Sequence, residues 1–183
     1  MDIEDYLEGV LPAEMPSSWP VEAMKAQAVA SRSYMLSLMK QRKNRHYDLD
    51  ASIIDQAYRS VTEDETQAKK IKEIVRDTKD AILVDNKGKV LRGFYHADCG
   101  GQTEEARYVW GDSPIRGTVK DKSCPLSPWS SWQITLTRQA LREKLISYLQ
   151  LPETENLKTV LIASRTPSGR VQNVDVVFSR SEE

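Results

Sequence analysis

Three prolines fall within nine residues, at Pro12, Pro16 and Pro20, and no other feature constrains the chain so tightly. Proline fixes its own φ, donates no backbone hydrogen bond and restricts the residue before it. The run Pro12-Ala13-Glu14-Met15-Pro16-Ser17-Ser18-Trp19-Pro20 therefore predicts a stiff, non-helical segment that stops the apolar stretch Tyr6–Leu11. The residues after it pull the other way. Ala23, Ala26, Ala28 and Ala30 are strong helix formers, Pro20 suits a first helical position, and Glu22 suits the first turn. A helix from about Pro20 to about Lys40 is expected. Its small side chains allow another element to approach closely. Val21, Met24, Ala28, Met35 and Leu38 form the apolar stripe, and Gln27, Ser31 and Tyr34 a neighbouring, more polar one.

Further along, Thr62 with Glu65 reads as a capping box for a helix over about Glu63–Asp77, with Ala68, Ile71, Ile74 and Val75 inward. Ala81–Val84 and Val90–Ala97 flank Asp85-Asn86-Lys87-Gly88 and read as a β-hairpin. Cys99-Gly100-Gly101 is a turn needing unusual backbone angles. Trp129, Trp132, Ile134 and Leu136 read as a strand. Thr137 caps a third helix with Leu141, Leu145 and Leu149 inward. Val160–Ala163 and Val174–Phe178 flank Thr166-Pro167-Ser168-Gly169 as a second hairpin. There is no βαβ rhythm, so the class is α+β, with helices and hairpins in one compact domain over 1–183.

The charge of −1 gives no field that favours nucleic acid or an anionic membrane, and the apolar runs are too short to span a bilayer. Met1–Asp5 has neither the basic start nor the apolar stretch of a signal peptide. Cys99 and Cys124 admit three readings: a disulfide, two free thiols, or a zinc site with His46 and His96. The ligand spacing disfavours zinc, and the reading calls for no metal and no cofactor.

Three blocks carry a resemblance. They are Tyr6-Leu7-x-Gly9-Val10-Leu11-Pro12-Ala13-Glu14-Met15-Pro16, Trp19-Pro20-x-Glu22-Ala23-Met24-Lys25-Ala26-Gln27-Ala28-Val29-Ala30-x-Arg32-x-Tyr34, and Tyr95-His96-Ala97-Asp98-Cys99-Gly100-Gly101-Gln102-Thr103 followed by Val109-Trp110-Gly111. In order and spacing they resemble the SpoIID family, from about Glu4 to about Trp132. The resemblance implies a peptidoglycan substrate and an extracytoplasmic location. It implies lytic transglycosylase activity on peptide-stripped glycan strands or, as in the LytB-like amidase-enhancer members, a non-catalytic module that stimulates a cell-wall amidase. It also implies a SpoIID-like catalytic domain that is either a trimmed piece or a compact relative of longer members. Some members carry zinc-ligating Cys and His near Asp55-Gln56-Ala57-Tyr58; this chain has neither between Asp48 and Gln56.

On this resemblance Glu14 is the catalytic acid. A lytic transglycosylase uses the muramic C6 hydroxyl as an internal nucleophile, so one carboxyl can first donate a proton and then take one up, where ordinary glycosidases need two carboxylates. The apolar, proline-framed setting of Glu14 favours a protonated carboxyl. A water-using muramidase would want a second carboxylate, for which Asp55 and Asp98 are the nearest candidates by motif. Sugar-binding roles are expected for Lys25, Gln27, Ser31, Arg32, Tyr34, Gln56, Tyr58, Tyr95, Gly100, Gly101, Gln102 and Thr103. For the helix residues a plain surface or packing role is the competing reading. Trp110 is either a stacking platform or a core tryptophan.

Overall fold

In a computed structural model the described residues are 1–52, 54–60, 64–111, 113, 115–123 and 131–180. Their order is α1 (Ile3–Glu14), α2 (Val21–Gln41), α3 (Glu65–Asp77), α4 (Ala106–Trp110), α5 (Arg138–Leu149), β1 (Glu155–Arg165) and β2 (Val171–Arg180). The class is α+β, as expected. The chain divides into two compact units, Met1–His96 and Ala97–Glu183.

In the first unit, Leu7 and Leu11 of α1, Met24 and Ala28 of α2, and Ile71, Ile74 and Val75 of α3 form one buried cluster, with Ile3 and Met15 packed against it. The proline-rich segment behaves differently from the sequence expectation. α1 runs through Pro12 and ends only at Glu14, where the Met15 N–H bonds the Leu11 carbonyl at 2.9 Å. A proline in the last turn removes one helical bond and leaves the rest of the ladder intact, and burial of Leu7, Val10 and Leu11 offsets that loss. The turn from Met15 to Pro20 is tied to α3. The Lys70 ammonium donates to the carbonyls of Ser17 (2.5 Å) and Trp19 (3.2 Å), and the Ser17 hydroxyl donates to Gln67 Oε1 at 2.9 Å.

α2 lies where the alanines predict it, with Met24, Ala28, Met35 and Leu38 buried; Val21 of the expected stripe is exposed. α3 starts at Glu65, capped by the Asp64 carboxylate, which accepts the Gln67 N–H at 3.0 Å. Asp64 thus fills the role assigned to Thr62, which lies outside the described residues; both can accept at an N-cap, and the sequence does not choose between them.

The expected hairpin over residues 81–97 is a single bridge, Val84 with Val90, around the Asp85–Gly88 turn. Its first arm is bonded to α2 instead of extending a ladder. Leu83 N–H donates to Ser33 Oγ at 2.9 Å, and the Arg32 guanidinium donates to the Ala81 carbonyl at 3.1 Å. The second arm touches α2 at Gly93, where a Cβ would sit 2.5 Å from the Ala30 carbonyl oxygen. The small residues of α2 permit that approach.

In the second unit β1 and β2 form the expected antiparallel hairpin across Thr166–Gly169. Glu104 anchors this turn by accepting the hydroxyls of Thr166 (2.6 Å) and Ser168 (2.5 Å). Thr137 caps α5 as expected, accepting the Ala140 N–H at 3.1 Å, but the buried residue of that helix is Ile146, and Leu149 is exposed. Trp132, Ile134 and Leu136 are exposed and in no strand among the described residues, because no partner ladder meets them. Trp129 and Cys124 lie outside the described residues, and with Cys124 the Cys99–Cys124 pairing.

Candidate functional site

Glu14 ends α1, and the stiff turn after it points the chain away, so the carboxylate stands at a helix end. There it accepts the Ala57 N–H at 2.7 Å and is half-buried. The loop that supplies this donor is held against α1 at a second point, where Arg59 N–H bonds the Gly9 carbonyl at 3.0 Å. The approach there is close. A Cβ on Gly9 would lie 2.3 Å from Tyr58 Cε2 and 2.6 Å from the Arg59 carbonyl oxygen.

Tyr58 stacks on Tyr6 of α1, with ring centroids 5.3 Å apart and planes at 13°. The Tyr6 hydroxyl is buried and has no hydrogen-bond partner among the described residues. Burial first, then the nearby charges of Asp55, Glu14 and Asp50 and the neighbouring Tyr58, push its titration up to about 12.

Gln56 is fully buried. Its amide nitrogen lies 3.3 Å from the Ser31 carbonyl oxygen and 3.3 Å from the Tyr95 hydroxyl, while its Oε1 has no partner among the described residues. Tyr95 is also pushed up to about 12. Burial is the main cause; the Glu14 charge and a hydrogen bond to the Glu14 carboxyl act in the same sense, and hydrogen bonds from Gln56 and Ser31 oppose them. Ser31 is itself buried and accepts from Gln27 Nε2 at 3.0 Å. Tyr34 stands edge-on to Tyr95 (6.4 Å) and Phe94 (6.3 Å), with the Arg92 guanidinium 5.4 Å over its ring. Burial raises Tyr34 as well.

Asp55 is locked beside this cluster. Its carboxylate is bidentate on the Arg42 guanidinium (Nη2 at 2.8 Å) and also accepts the Asp50 N–H at 2.7 Å. Burial alone would raise it. The Arg42 and Asp50 hydrogen bonds outweigh that and hold it below the ordinary carboxylate value.

The first unit thus gathers Glu14, Gln27, Ser31, Tyr34, Gln56, Tyr58 and Tyr95. Two other candidates are engaged elsewhere. Lys25 pairs with Glu22 (3.4 Å) and Asp77 (3.5 Å). Arg32, 2% exposed, makes a bidentate pair with Glu4 and reaches Thr78 and the Val75 and Ala81 carbonyls. Tyr6, Arg42 and the Ala57 N–H were not among the candidates. The i, i+8 spacing of Tyr6 and Glu14 along one helix was the available signal for Tyr6.

Gly100, Gly101, Gln102 and Thr103 belong to the second unit. Both glycines have positive φ, 59° and 94°, as a tight turn requires. Gly100 N–H bonds Asp98 Oδ1 at 2.6 Å, which engages the other muramidase candidate. The Arg170 guanidinium holds the Cys99 and Gln102 carbonyls. The Gln102 amide donates to Thr118 (2.7 Å), and Thr103 Oγ1 accepts from Val119 N–H (2.7 Å). Trp110 is exposed and so is not a core residue.

Comparison with known proteins follows the same residues. The family model described as stage II sporulation protein, SpoIID, matches residues 1–84. The chain is 34% identical over 180 residues to an uncharacterized protein of Brachyspira hyodysenteriae, covering 96% of this chain and 46% of that one. It is 33% identical over 178 residues to the amidase enhancer of Bacillus subtilis (97% and 23%) and 30% identical over 156 residues to stage II sporulation protein D of the same organism (78% and 45%). The chain spans less than half the length of each of these relatives.

Proposed function

We propose that this chain, which belongs to the SpoIID family, is a peptidoglycan lytic transglycosylase with Glu14 as its single acid–base group. The seating of Glu14 carries the reading. A half-buried carboxyl is fixed by a backbone N–H at 2.7 Å and ringed by Tyr6, Tyr58, Tyr95 and Gln56. In the forward step the Glu14 carboxyl gives its proton to the glycosidic oxygen as the bond from muramic C1 breaks. The resulting carboxylate then takes the proton of the C6 hydroxyl as that oxygen bonds to C1, leaving a 1,6-anhydro ring and the original acid. A positioned general acid contributes about 10²–10⁴-fold in rate.

The state of Asp55 supports this chemistry over hydrolysis. A carboxylate tied bidentately to Arg42 and to a backbone N–H is poorly suited to activate water. Tyr34, Tyr58 and the Gly100–Thr103 turn are proposed to contact sugar. Gln27 and Ser31 act behind them, and Lys25 and Arg32 maintain the fold. The family match and the relatives support a cell-wall role, and we place the protein on the extracytoplasmic side. No helix among the described residues is long and apolar enough to cross a membrane.

A second reading is a non-catalytic peptidoglycan-binding module that stimulates a cell-wall amidase. The name of the B. subtilis relative, amidase enhancer, favours it. Incubation with peptide-stripped glycan strands, followed by mass spectrometry, separates the readings. Anhydro ends support the transglycosylase, reducing ends mean hydrolysis, and binding without cleavage supports the module.

A further inference from the structure

The hydrogen-bond donors around Tyr95 leave its own proton one direction to take. The Ser31 carbonyl can only accept, so the Gln56 group facing it must be the NH₂. The same nitrogen lies 3.3 Å from the Tyr95 oxygen, so its second hydrogen goes there. Ser31 Oγ is already accepting from Gln27 Nε2 at 3.0 Å, which leaves the Ser31 proton for the other bond it makes, to Tyr95. A hydroxyl oxygen has two acceptor positions, and Gln56 and Ser31 fill both. What remains is the phenolic proton, and the remaining hydrogen-bond partner of Tyr95 is the Glu14 carboxyl.

We propose that Tyr95 is a positioning residue whose proton is aimed onto Glu14 by Gln27, Ser31 and Gln56, none of which needs to touch substrate. Together with the Ala57 N–H at 2.7 Å, Tyr95 gives the Glu14 carboxylate a second fixed donor once its proton has gone to the leaving oxygen. The catalytic meaning of this relay rests on the function proposed above; the direction of the proton does not. It also assigns Gln56, Ser31 and Gln27 a different task from binding sugar.

The other titratable and charged groups around Glu14 and its tyrosines are Tyr6 from α1, Tyr34 and Arg42 from α2, Asp50, Asp55 and Tyr58 from the loop, and Arg92 before Phe94. The variants below leave all of them in place.

The test is a ¹³C NMR titration of the full chain labelled at glutamate carboxyl carbons, with the Glu14 signal assigned by its loss in Glu14→Gln. In Tyr95→Phe the Glu14 midpoint is expected to move up by about one pH unit, because a neutral donor to the carboxylate is gone. In Gln56→Met a smaller upward move is expected, since the Ser31 carbonyl, deprived of its donor, then competes for the Tyr95 proton. An unchanged or lowered midpoint in Tyr95→Phe overturns the proposal. If Tyr95→Phe does not fold, an unchanged midpoint in Gln56→Met does so. In glycan cleavage, the alkaline limb of the Tyr95→Phe rate profile should move the same way, with kcat reduced and KM held. The titration requires no turnover, so a chain that fails to cleave glycan would refute the transglycosylase reading and still let the midpoints judge Tyr95.

Discussion

Tyr58 lies flat against Tyr6, and the stack exists only because the residue between them and α1 is Gly9. On helix propensity alone, Gly9→Ala within α1 would stabilise by up to about 1 kcal/mol. The contacts predict the opposite sign. The new methyl meets the Tyr58 ring and the Arg59 backbone at under 3 Å, and the backbone cannot swing aside as a side chain can. Chemical denaturation should show a loss of about 1–3 kcal/mol. The displaced loop also carries the Ala57 donor, so activity should fall by more than the lost folded fraction explains.

Arg32 illustrates a residue whose place in a motif invites a binding role and whose contacts indicate a structural one. Its guanidinium is buried and bidentate on Glu4 at 2.7 and 2.9 Å. Truncation to alanine strands a carboxylate and three acceptors, and should cost about 3–5 kcal/mol in a denaturant titration. Arg32→Lys should not rescue stability, because an ammonium cannot reproduce the fork. Substrate affinity per folded molecule should be unchanged in Arg32→Lys.

The Asp55–Arg42 pair predicts an acid limb in stability. Asp55 is held below its ordinary value of 3.8 in the folded state, so its contribution is complete above that value and is lost as pH falls through the lower folded one. Asp55→Asn should destabilise by about 3 kcal/mol at neutral pH, and the gap to the parent should narrow below pH 3.8. Denaturation midpoints across that range check it.

At the other end of the scale, Tyr6 and Tyr95 both titrate near 12 when folded and from 10.0 when not. Their stabilising effect is whole below pH 10 and drains away between 10 and about 12, because the unfolded chain ionises first. Alkaline unfolding should therefore set in over that window. Tyr6→Phe should blunt it, since the lost hydroxyl has no partner among the described residues and cannot ionise in either state.

Much of this was legible before any coordinates. The alanines of α2, the Thr137 cap and the turn Thr166–Gly169 each carry a local signal strong enough to fix an element. What escaped depends on distant partners. Pro12 reads as a helix stop until the burial of Leu7, Val10 and Leu11 is weighed against one missing bond. The arm from Ala81 to Val84 reads as a strand until Ser33 and Arg32 claim its backbone groups. The same holds at the site. Glu14, Gln56, Tyr58 and Tyr95 sit in recognisable motifs. That Ser31 and Gln27 turn inward as a relay, and that Arg42 disarms Asp55, follows only from which side chains meet.

The most direct measurement compares the parent chain with Glu14→Gln on the same preparation of peptide-free glycan, reading the mass of every new sugar terminus. The account predicts muramic termini lighter by one water than hydrolysis gives, produced by the parent and reduced at least about 100-fold in the variant. Termini carrying the added water, or equal release by the two proteins, would contradict it.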